Sequence, residues 1–239
     1  MNKHLFIENL FQPLLTAGDY TRRIQNKIKH SLKPNESEYC NMVVTDADLA
    51  VQNFLEVHFL SHINAISLYG EEDSANSKYF CNNCDWEISI DPINGTLPYK
   101  DGQDNYDIIV TLSDRESIRA SILYMPQHEI FFFSIKGEGA FKCSKTQWKN
   151  GEIWNRFKIN DDSINDHILI HGDASSKNLL SKYYKITDYV YDYRKDEYML
   201  LQNAILTGEL TSFIRFGAMI FDWSCCTHRN RSWWCSNLY

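Results

Sequence analysis

The chain has 239 residues, of which 44% are hydrophobic and 23% are charged, and its 31 acidic residues outnumber its 24 lysines and arginines to give a net charge of −7. This composition is that of a globular protein with enough apolar residues for a sizeable core, and it argues against binding nucleic acid through overall charge. No run approaches the roughly 18 apolar residues of a membrane span, and polar residues such as Glu8 interrupt the apolar start of the chain. We therefore expect neither a membrane span nor a signal peptide.

Seven cysteines, an odd number, in a chain without an export signal indicate reduced thiols in the cytoplasm. Cys81 and Cys84 have the spacing of a redox or zinc pair. No second pair of cysteines, or of cysteine and histidine, accompanies them at matching spacing. We therefore interpret this stretch as a solvent-side loop rather than as a zinc site.

The first elements in chain order are predicted helices. Apolar residues recur at roughly helical spacing over residues 4–28, which predicts one or two amphipathic helices with Pro13 as a kink or an early break. Residues 29–39 are polar and predict a loop able to cover a site. Thr45 is placed to cap the next helix, which puts Asp48 in the first turn of that helix.

Two histidines, His58 and His62, fall one turn apart on this second helix. Because no Glu follows the first histidine, the pair lacks the zinc-protease signature, and we interpret both as ordinary helix-face residues. A short strand predicted over residues 65–69 then leads to two acids, Glu71 and Glu72.

The next stretch reads as a buried strand that ends in a carboxylate. Trp86, Ile88 and Ile90 alternate with other residues as they would along a strand. Asp91 follows, and we expect the strand to end there because Pro92 has no N–H with which to continue a β-ladder.

Gly95 and Thr96 follow this strand end. Gly95 lets the backbone approach a ligand, and Thr96 adds a hydroxyl beside N–H groups that would point at an anion if a helix began at this point. We therefore expect a metal ion and a phosphate to share this turn. For the hexapeptide taken alone, an ordinary strand end and turn is the alternative.

Three β-branched or aromatic runs, at residues 106–112, 119–124 and 129–135, predict an antiparallel meander. Gly137 and Gly139 come after these runs and are interpreted as turn glycines rather than as a phosphate-binding loop.

A second α/β part is expected from about residue 157. Its predicted elements are a strand at 167–170, helices near 177–184 and 198–206, and a strand at 210–214. No internal repeat or low-complexity linker is visible. We therefore predict one domain over residues 1–239, with subdomains of about 1–150 and 151–239.

Four motifs occur in a fixed order along the chain: Val44-Thr45-Asp46-Ala47-Asp48, Gly70-Glu71-Glu72, Asp91-Pro92-Ile93-Asn94-Gly95-Thr96 and Phe221-Asp222-Trp223. This series resembles the inositol monophosphatase family, whose members carry Thr-x-x-Asp, Gly-Glu-Glu, Asp-Pro-Ile-Asp-Gly-Thr and Trp-Asp in that order. The resemblance covers most of the chain. It implies an α+β fold, the layered α-β-α-β-α sandwich of the inositol monophosphatase and fructose-bisphosphatase type, and Mg²⁺-dependent hydrolysis of a phosphate monoester.

The resemblance also implies metal ligands. Glu71 and Asp91, with the carbonyl of Ile93, would hold one Mg²⁺. Asp91, Asn94 and Asp222 would hold a second one.

Catalytic roles follow from the same resemblance. Thr96 and Glu71 would polarise the attacking water, and Asp48 would bind a further ion or orient water. The N–H groups of Gly95 and Thr96 would receive the substrate phosphate.

Three departures from the family pattern affect these expectations. Position 94 is Asn where the family has Asp, which exchanges an anionic ligand for a neutral one and should weaken the second metal. The family's small Gly-Ser/Thr-Ala turn would fall near Asp196-Glu197-Tyr198, and Arg215 stands where many members place a sugar-binding Glu. The chain ends 17 residues after Asp222, where the family continues with a further helix and strand.

We expect a small-molecule phosphate ester as substrate, most simply inositol monophosphate or a similar sugar phosphate, and no nucleic acid or membrane partner. A cytoplasmic homodimer is expected because relatives often form dimers. Activity as a 3′(2′),5′-bisphosphate nucleotidase or a fructose-bisphosphatase stays open, since relatives share the metal motifs and differ in pocket residues. A further alternative is an inactive, truncated homologue that retains the scaffold.

The tail at residues 225–239 has neither helix nor strand periodicity and crowds two Trp and three Cys into a short segment. Read one base later, the codons of Trp233-Trp234-Cys235 must encode Gly-Gly followed by Val or Ala, and the two preceding codons can encode Glu-Ala. An apolar run that ends in Glu-Ala-Gly-Gly is what the family carries there. We therefore expect that a frameshift has replaced the family's C-terminal elements, with a lineage-specific tail as the alternative.

Overall fold

A computed structural model of the chain describes residues 1–32, 43–152, 154–158, 166–171, 174–214, 227–228 and 231–234. The helices are α1 Lys3–Ile24, α2 Asp46–His62, α3 Thr96–Lys100, α4 Lys145–Lys149, α5 Ala174–Leu180 and α6 Ala204–Thr207, with a short 3-10 helix at Ser77–Tyr79. The strands as far as the central motif are β1 His30–Leu32, β2 Val43–Thr45, β3 Ser67–Gly70 and β4 Trp86–Asn94. The later strands are β5 Asp107–Asp114, β6 Ile118–Met125, β7 Ile130–Ile135, β8 Gly139–Ser144, β9 Asn155–Arg156, β10 His167–Ile170, β11 Lys185–Asp188, β12 Ser212–Ile214, β13 Thr227–His228 and β14 Arg231–Trp234.

The central sheet has seven strands in the order β3-β4-β5-β6-β7-β8-β9. β3 and β4 run parallel, and each later strand is antiparallel to the one before it. The expected antiparallel meander is therefore confirmed. Gly137 lies in the turn between β7 and β8 as predicted, whereas Gly139 is the first residue of β8 and pairs with Ile135. Their φ angles of +88° and +110° lie in the region that favours glycine.

Helices α1 and α2 pack on one face of this sheet and form its main core with the apolar side chains of β4 to β7. Phe11 of α1 packs edge-to-face with Phe131 and Phe133, at centroid distances of 4.6 and 5.6 Å. Helix α1 runs unbroken through the buried Pro13, so the predicted break is wrong and the single-helix alternative is right. The lost backbone hydrogen bond at Pro13 is offset by the packing of the apolar face on the sheet.

Strand β4 continues beyond Asp91, where its end was expected. Its pairing with β5 passes from Asp91–Ile109 to Asn94–Asp107, with an irregularity between them. Pro92 therefore lies where the ladder has no hydrogen bond to lose, which is how a strand accommodates a residue without an N–H. The predicted ligands Asp91 and Asn94 lie on either side of this irregularity.

The polar stretch expected as a loop over residues 29–39 begins as a strand. β1 pairs with β2 in antiparallel register, with His30 opposite Thr45. The expected cap is confirmed, since the Thr45 side chain accepts a hydrogen bond from the Ala47 N–H and α2 begins at Asp46. Residues 33–42, which include the rest of the predicted loop, lie outside the described ranges.

A second, smaller sheet has β10 in its centre, flanked by β11 and β12, all parallel. The strands expected at 167–170 and 210–214 are confirmed. The helix predicted over 198–206 is wrong over residues 198–203, because α6 begins only at Ala204. The backbone of Met199 is engaged elsewhere: its N–H donates to Gln103 Oε1 at 3.3 Å, and its carbonyl accepts from Asn105 Nδ2.

Cys81 and Cys84 form a disulfide, with their Cα atoms 5.8 Å apart, in the connection between β3 and β4. The expectation of reduced thiols is wrong for this pair. The turn that joins them is anchored on both sides, because the Cys81 N–H donates to the Ile66 carbonyl at 3.0 Å and the Cys84 N–H donates to Ser67 Oγ at 3.1 Å.

None of the helices in the described part of the chain combines the length and the apolar character that crossing a membrane requires.

Candidate active site

Two predicted acids are delivered by neighbouring parallel strands. Glu71 directly follows β3, Asp91 lies in β4, and the Glu71 N–H donates to the Ile90 carbonyl at 3.1 Å. Asp91 is 3% exposed, whereas Glu71 is partly exposed. Strand pairing therefore holds these two acids at the same end of the sheet, as the motifs predicted.

The turn that carries Glu71 is held in place by Gln52 of α2. The Glu72 N–H donates to Gln52 Oε1 at 2.9 Å, and Gln52 Nε2 donates to the Glu72 carbonyl at 2.5 Å. A Cβ on Gly70 would lie 2.5 Å from Gln52 Nε2, so a larger residue at position 70 would force the Gln52 amide to move. The conformation of the Gly70-Glu71-Glu72 turn therefore depends on Gln52 of α2.

Sequence reasoning missed Gln52, although a signal was available. Asp48, Gln52 and Glu56 are spaced four residues apart, so they lie on one stripe of α2, and all three are buried. Buried polar residues at helical spacing predict a hydrogen-bonded row. Gln52 Nε2 indeed donates to Glu56 Oε1 at 2.9 Å.

Asp48 helps to cap α2 and also has a raised pKa. Its Oδ2 accepts hydrogen bonds from the Thr45 N–H at 2.8 Å and from Thr45 Oγ1 at 2.5 Å, which closes a capping box at the start of α2. Burial raises the pKa of Asp48 to about 7, the hydrogen bonds from Thr45 oppose this shift, and the charges of Glu71 and Glu72 add to it. Asp48 is therefore poised to exchange a proton near neutral pH.

Thr96 links the central motif to Asp48. Its Oγ1 lies 3.1 Å from Asp48 Oδ1 and 2.9 Å from the Ile93 carbonyl oxygen, and its single proton can be donated to either. The helix start expected at this point is confirmed, since α3 begins at Thr96 with Gly95 as its cap. Gly95 has a φ of +93°, and a Cβ there would lie 2.5 Å from Leu201 Cδ1, so position 95 requires glycine for its conformation and for space.

Asn94, a predicted metal ligand, is part of a hydrogen-bonded row that the sequence did not indicate. Asn94 Nδ2 donates to Asp107 Oδ1 at 3.1 Å, and Gln202 Nε2 donates to Asn94 Oδ1 at 2.5 Å. The other oxygen of Asp107 accepts from Asn203 Nδ2 at 2.8 Å. Asp107 is fully buried, and burial raises its pKa to about 7 although both amides oppose the shift.

These residues fit a divalent cation by their chemistry. Glu71, Asp91 and the carbonyl of Ile93 offer only oxygen donors, which hard cations such as Mg²⁺ prefer. Burial is the main cause of the raised pKa of Asp48, and the charge of Glu71 adds to it. A bound cation would relieve this repulsion between Glu71 and Asp48.

The remaining predicted ligand is Asp222. It lies outside the described ranges, as does Arg215. Within the described ranges, no three side chains of His, Cys, Asp or Glu come together as a metal-sized group. Of the predicted ligands, the described residues therefore include two acids and a carbonyl oxygen for the first cation, and Asp91 and Asn94 for the second.

Several solved structures have a fold similar to that of this chain. An IMPase/NADP phosphatase complexed with NADP and Ca²⁺ matches with a TM-score of 0.68 at 17% identity, over 93% of this chain and 79% of its own. An IMPase/NADP phosphatase complexed with Mg²⁺ and phosphate matches with a TM-score of 0.62 at 17% identity, over 86% of this chain and 72% of its own. An IMPase of Thermotoga maritima matches with a TM-score of 0.58 at 15% identity, over 75% of this chain and 66% of its own.

The expected layered α+β fold is confirmed by these matches. No curated protein sequence matches the chain. The sequence model described as the inositol monophosphatase family matches residues 15–227, which is most of the chain. The chain therefore belongs to the inositol monophosphatase family, a family of phosphoric monoester hydrolases.

Proposed function

We propose that this chain hydrolyses a phosphate monoester in a Mg²⁺-dependent reaction, with inositol monophosphate or a similar sugar phosphate as substrate. The contact between Thr96 Oγ1 and Asp48 Oδ1, 3.1 Å apart, carries the proposal. It joins a hydroxyl at the start of α3 to a carboxyl whose pKa is near 7, beside two acids suited to a hard cation. A structurally similar IMPase/NADP phosphatase is described as complexed with Mg²⁺ and phosphate, which supports the choice of metal.

The cation would be held by Glu71, Asp91 and the carbonyl of Ile93. When bound, it supplies charge neutralisation at the phosphate oxygens and a lowered pKa for the attacking water. A second cation would use Asp91, Asn94 and Asp222. These assignments stay predictions that the metal titrations described below address.

Thr96 and Asp48 move the proton of the attacking water in this proposal. The water donates to Thr96 Oγ1, and Thr96 Oγ1 passes its own proton to Asp48 Oδ1. Glu71 orients the same water. The N–H groups of Gly95 and Thr96 would donate to the phosphate oxygens, where their partial positive charge would stabilise the developing negative charge.

The substrate is tested by measuring phosphate release from a panel of inositol 1-phosphate, fructose 1,6-bisphosphate, adenosine 3′,5′-bisphosphate and NADP, each with Mg²⁺ and with EDTA. We expect the largest kcat/KM for inositol 1-phosphate or another sugar monophosphate, and no turnover in EDTA. A preference for the nucleotide or for the bisphosphate would move the assignment to the nucleotidase or to the fructose-bisphosphatase alternative. Turnover that persists in EDTA would overturn the proposal.

A non-catalytic protein that retains the scaffold is the second candidate. The observation in its favour is that both ends of the Asn94 amide already have hydrogen-bond partners in Asp107 and Gln202. The same panel decides between the two, because this alternative predicts no phosphate release from any substrate while Mg²⁺ still raises the melting temperature. A cytoplasmic location and a homodimer stay predictions from the sequence.

A further inference from the structure

The row formed by Gln202, Asn94, Asp107 and Asn203 contains three amides and one acid. Each link is a hydrogen bond, from Gln202 Nε2 to Asn94 Oδ1, from Asn94 Nδ2 to Asp107 Oδ1, and from Asn203 Nδ2 to Asp107 Oδ2, at 2.5, 3.1 and 2.8 Å. Asn94, Asp107 and Asn203 are 7%, 0% and 4% exposed. Such buried polar groups need their partners, so the row has a direction that each member must respect.

Asp107 is the member that sets this direction. A side-chain amide can present either its nitrogen or its oxygen, whereas a carboxylate can only accept. Asn94 must therefore donate to Asp107 through Nδ2, so Asn94 Oδ1 lies on the side of the amide away from Asp107. Only that oxygen can bind a cation, because an amide nitrogen has no lone pair to offer.

The hydrogen bond from Gln202 does not prevent Asn94 Oδ1 from binding a cation. A carbonyl-type oxygen has two lone pairs, and the hydrogen bond from Gln202 Nε2 occupies one of them. The amide of Gln202 can also turn over, so it follows the orientation of Asn94 rather than fixing it.

We propose that Asp107 is a positioning residue for a cation site at Asn94. It accepts from Asn94 Nδ2 and so keeps Asn94 Oδ1 turned away from Asp107, where this oxygen can bind a cation. This inference rests on the proposed function, since it gives position 94 a role toward the metal. It also explains how a neutral side chain serves at such a site: the acid behind the amide polarises its oxygen, as carboxylates do behind other metal ligands.

The effect of Asp107→Asn can be predicted because Asn203 acts only as a hydrogen-bond donor toward position 107. Asn203 Nδ2 also donates to the Asn105 carbonyl at 3.2 Å, so it must continue to donate. The new amide at position 107 must then present its oxygen to Asn203 and its nitrogen to Asn94. Asn94 is forced to turn over, and its oxygen now faces position 107 while the hydrogen-bonded row stays complete.

The experiment is a Mg²⁺ titration at pH 8, read by calorimetry and by the melting temperature, on the wild type, Asp107→Asn and the double variant Asn94→Asp/Asp107→Asn. Asp107→Asn should not lower the melting temperature in EDTA, since it removes a buried charge at pH 8. It should weaken Mg²⁺ binding by about 10- to 100-fold, the usual effect of losing such a supporting group. The double variant should recover Mg²⁺ binding, because a carboxylate at position 94 presents an oxygen to both sides.

Asn203→Ala is the matched control. It removes a hydrogen bond from Asp107 Oδ2 but leaves Asp107 opposite Asn94, so it should lower the melting temperature while the Mg²⁺ dissociation constant stays near that of the wild type. A purely structural role for the row predicts instead that Mg²⁺ affinity follows the melting temperature in every variant.

The outcomes separate the two proposals. A wild type that binds Mg²⁺, with an unchanged dissociation constant in Asp107→Asn, would overturn the role of Asp107 alone. No rescue by the double variant would also count against it. A wild type that shows no Mg²⁺ response in either readout would remove the proposed metal dependence, and with it this role of Asp107.

Discussion

Thr96 Oγ1 lies 3.1 Å from Asp48 Oδ1, although 48 residues separate them in the chain. One residue begins α3 and the other belongs to the first turn of α2. The contact brings two helix starts together at the end of β4, where the acids of the central motif lie. This relationship is the structural basis for the proton path proposed above.

Replacing Thr96 tests that path directly. Thr96→Ala removes the hydroxyl that accepts the proton of the water, and we expect kcat to fall by about 10²- to 10⁴-fold, the range typical of general acid–base groups. Thr96→Ser is the matched control, since it keeps the hydroxyl and should retain most of the activity. Steady-state kinetics and circular dichroism on both variants check the prediction, and equal losses in the two would contradict it.

The stability of the metal-free chain should fall as the pH rises from about 4 to about 7. The pKa of Asp48 is raised from 3.8 to about 7 in the folded chain, so between these values the folded chain holds a proton that the unfolded chain has lost. The free energy of unfolding therefore decreases across this range, by about 4 kcal/mol at most for Asp48 alone. Asp107 shifts the stability in the same direction.

Urea unfolding in EDTA at pH 5 and pH 8 measures this effect. Asp48→Asn keeps an oxygen that can accept from the Thr45 N–H but cannot titrate, so its pH dependence should be flatter than that of the wild type. An Asp48→Asn variant with the full wild-type slope would show that Asp48 is not the responsible group.

Gly70→Ala should destabilise the chain and disturb Glu71. The added Cβ would lie 2.5 Å from Gln52 Nε2, so the amide must move and lose its hydrogen bonds to the backbone of Glu72. We expect a loss of about 1–3 kcal/mol in the free energy of unfolding, together with weaker Mg²⁺ binding.

A double-mutant cycle with Gln52→Ala separates the steric term from the rest. Once the Gln52 amide is absent, the Cβ at position 70 has room. The losses of unfolding free energy in the two single variants should therefore sum to much more than the loss in the double variant. Simple additivity would mean that Gln52 is not what constrains Gly70.

Local signals predicted much of the fold and of the site. The acids Glu71 and Asp91 were expected together from the resemblance of the motifs, and the pairing of β3 with β4 brings them to one end of the sheet. The Thr45 cap and the helix start at Thr96 depend on neighbours within a few residues, and both are present as expected. Capping, helix propensity and strand periodicity act over such short distances, which is why one sequence suffices to detect them.

The parts that were missed depend on distant pairing. Asp107 reads as the polar start of a strand, and only the register that places it opposite Asn94 shows its partner. The residues before α6 have an apolar pattern that suits a helix, yet Gln103 and Asn105 bind the backbone of Met199, which is not helical. Tertiary hydrogen bonds outweigh local propensity at such positions.

The most direct test of metal-dependent phosphatase function is phosphate release from inositol 1-phosphate by the wild type and by Asp91→Asn, with Mg²⁺ and with EDTA. Asp91 is the side chain assigned to both cations, so its substitution should abolish turnover even at high Mg²⁺. Asp85→Asn is the control, because the Asp85 side chain is 80% exposed and pairs with Arg115 on the surface. We predict Mg²⁺-dependent turnover in the wild type and in Asp85→Asn, and none in Asp91→Asn. Full activity of Asp91→Asn, or of the wild type in EDTA, would contradict the account.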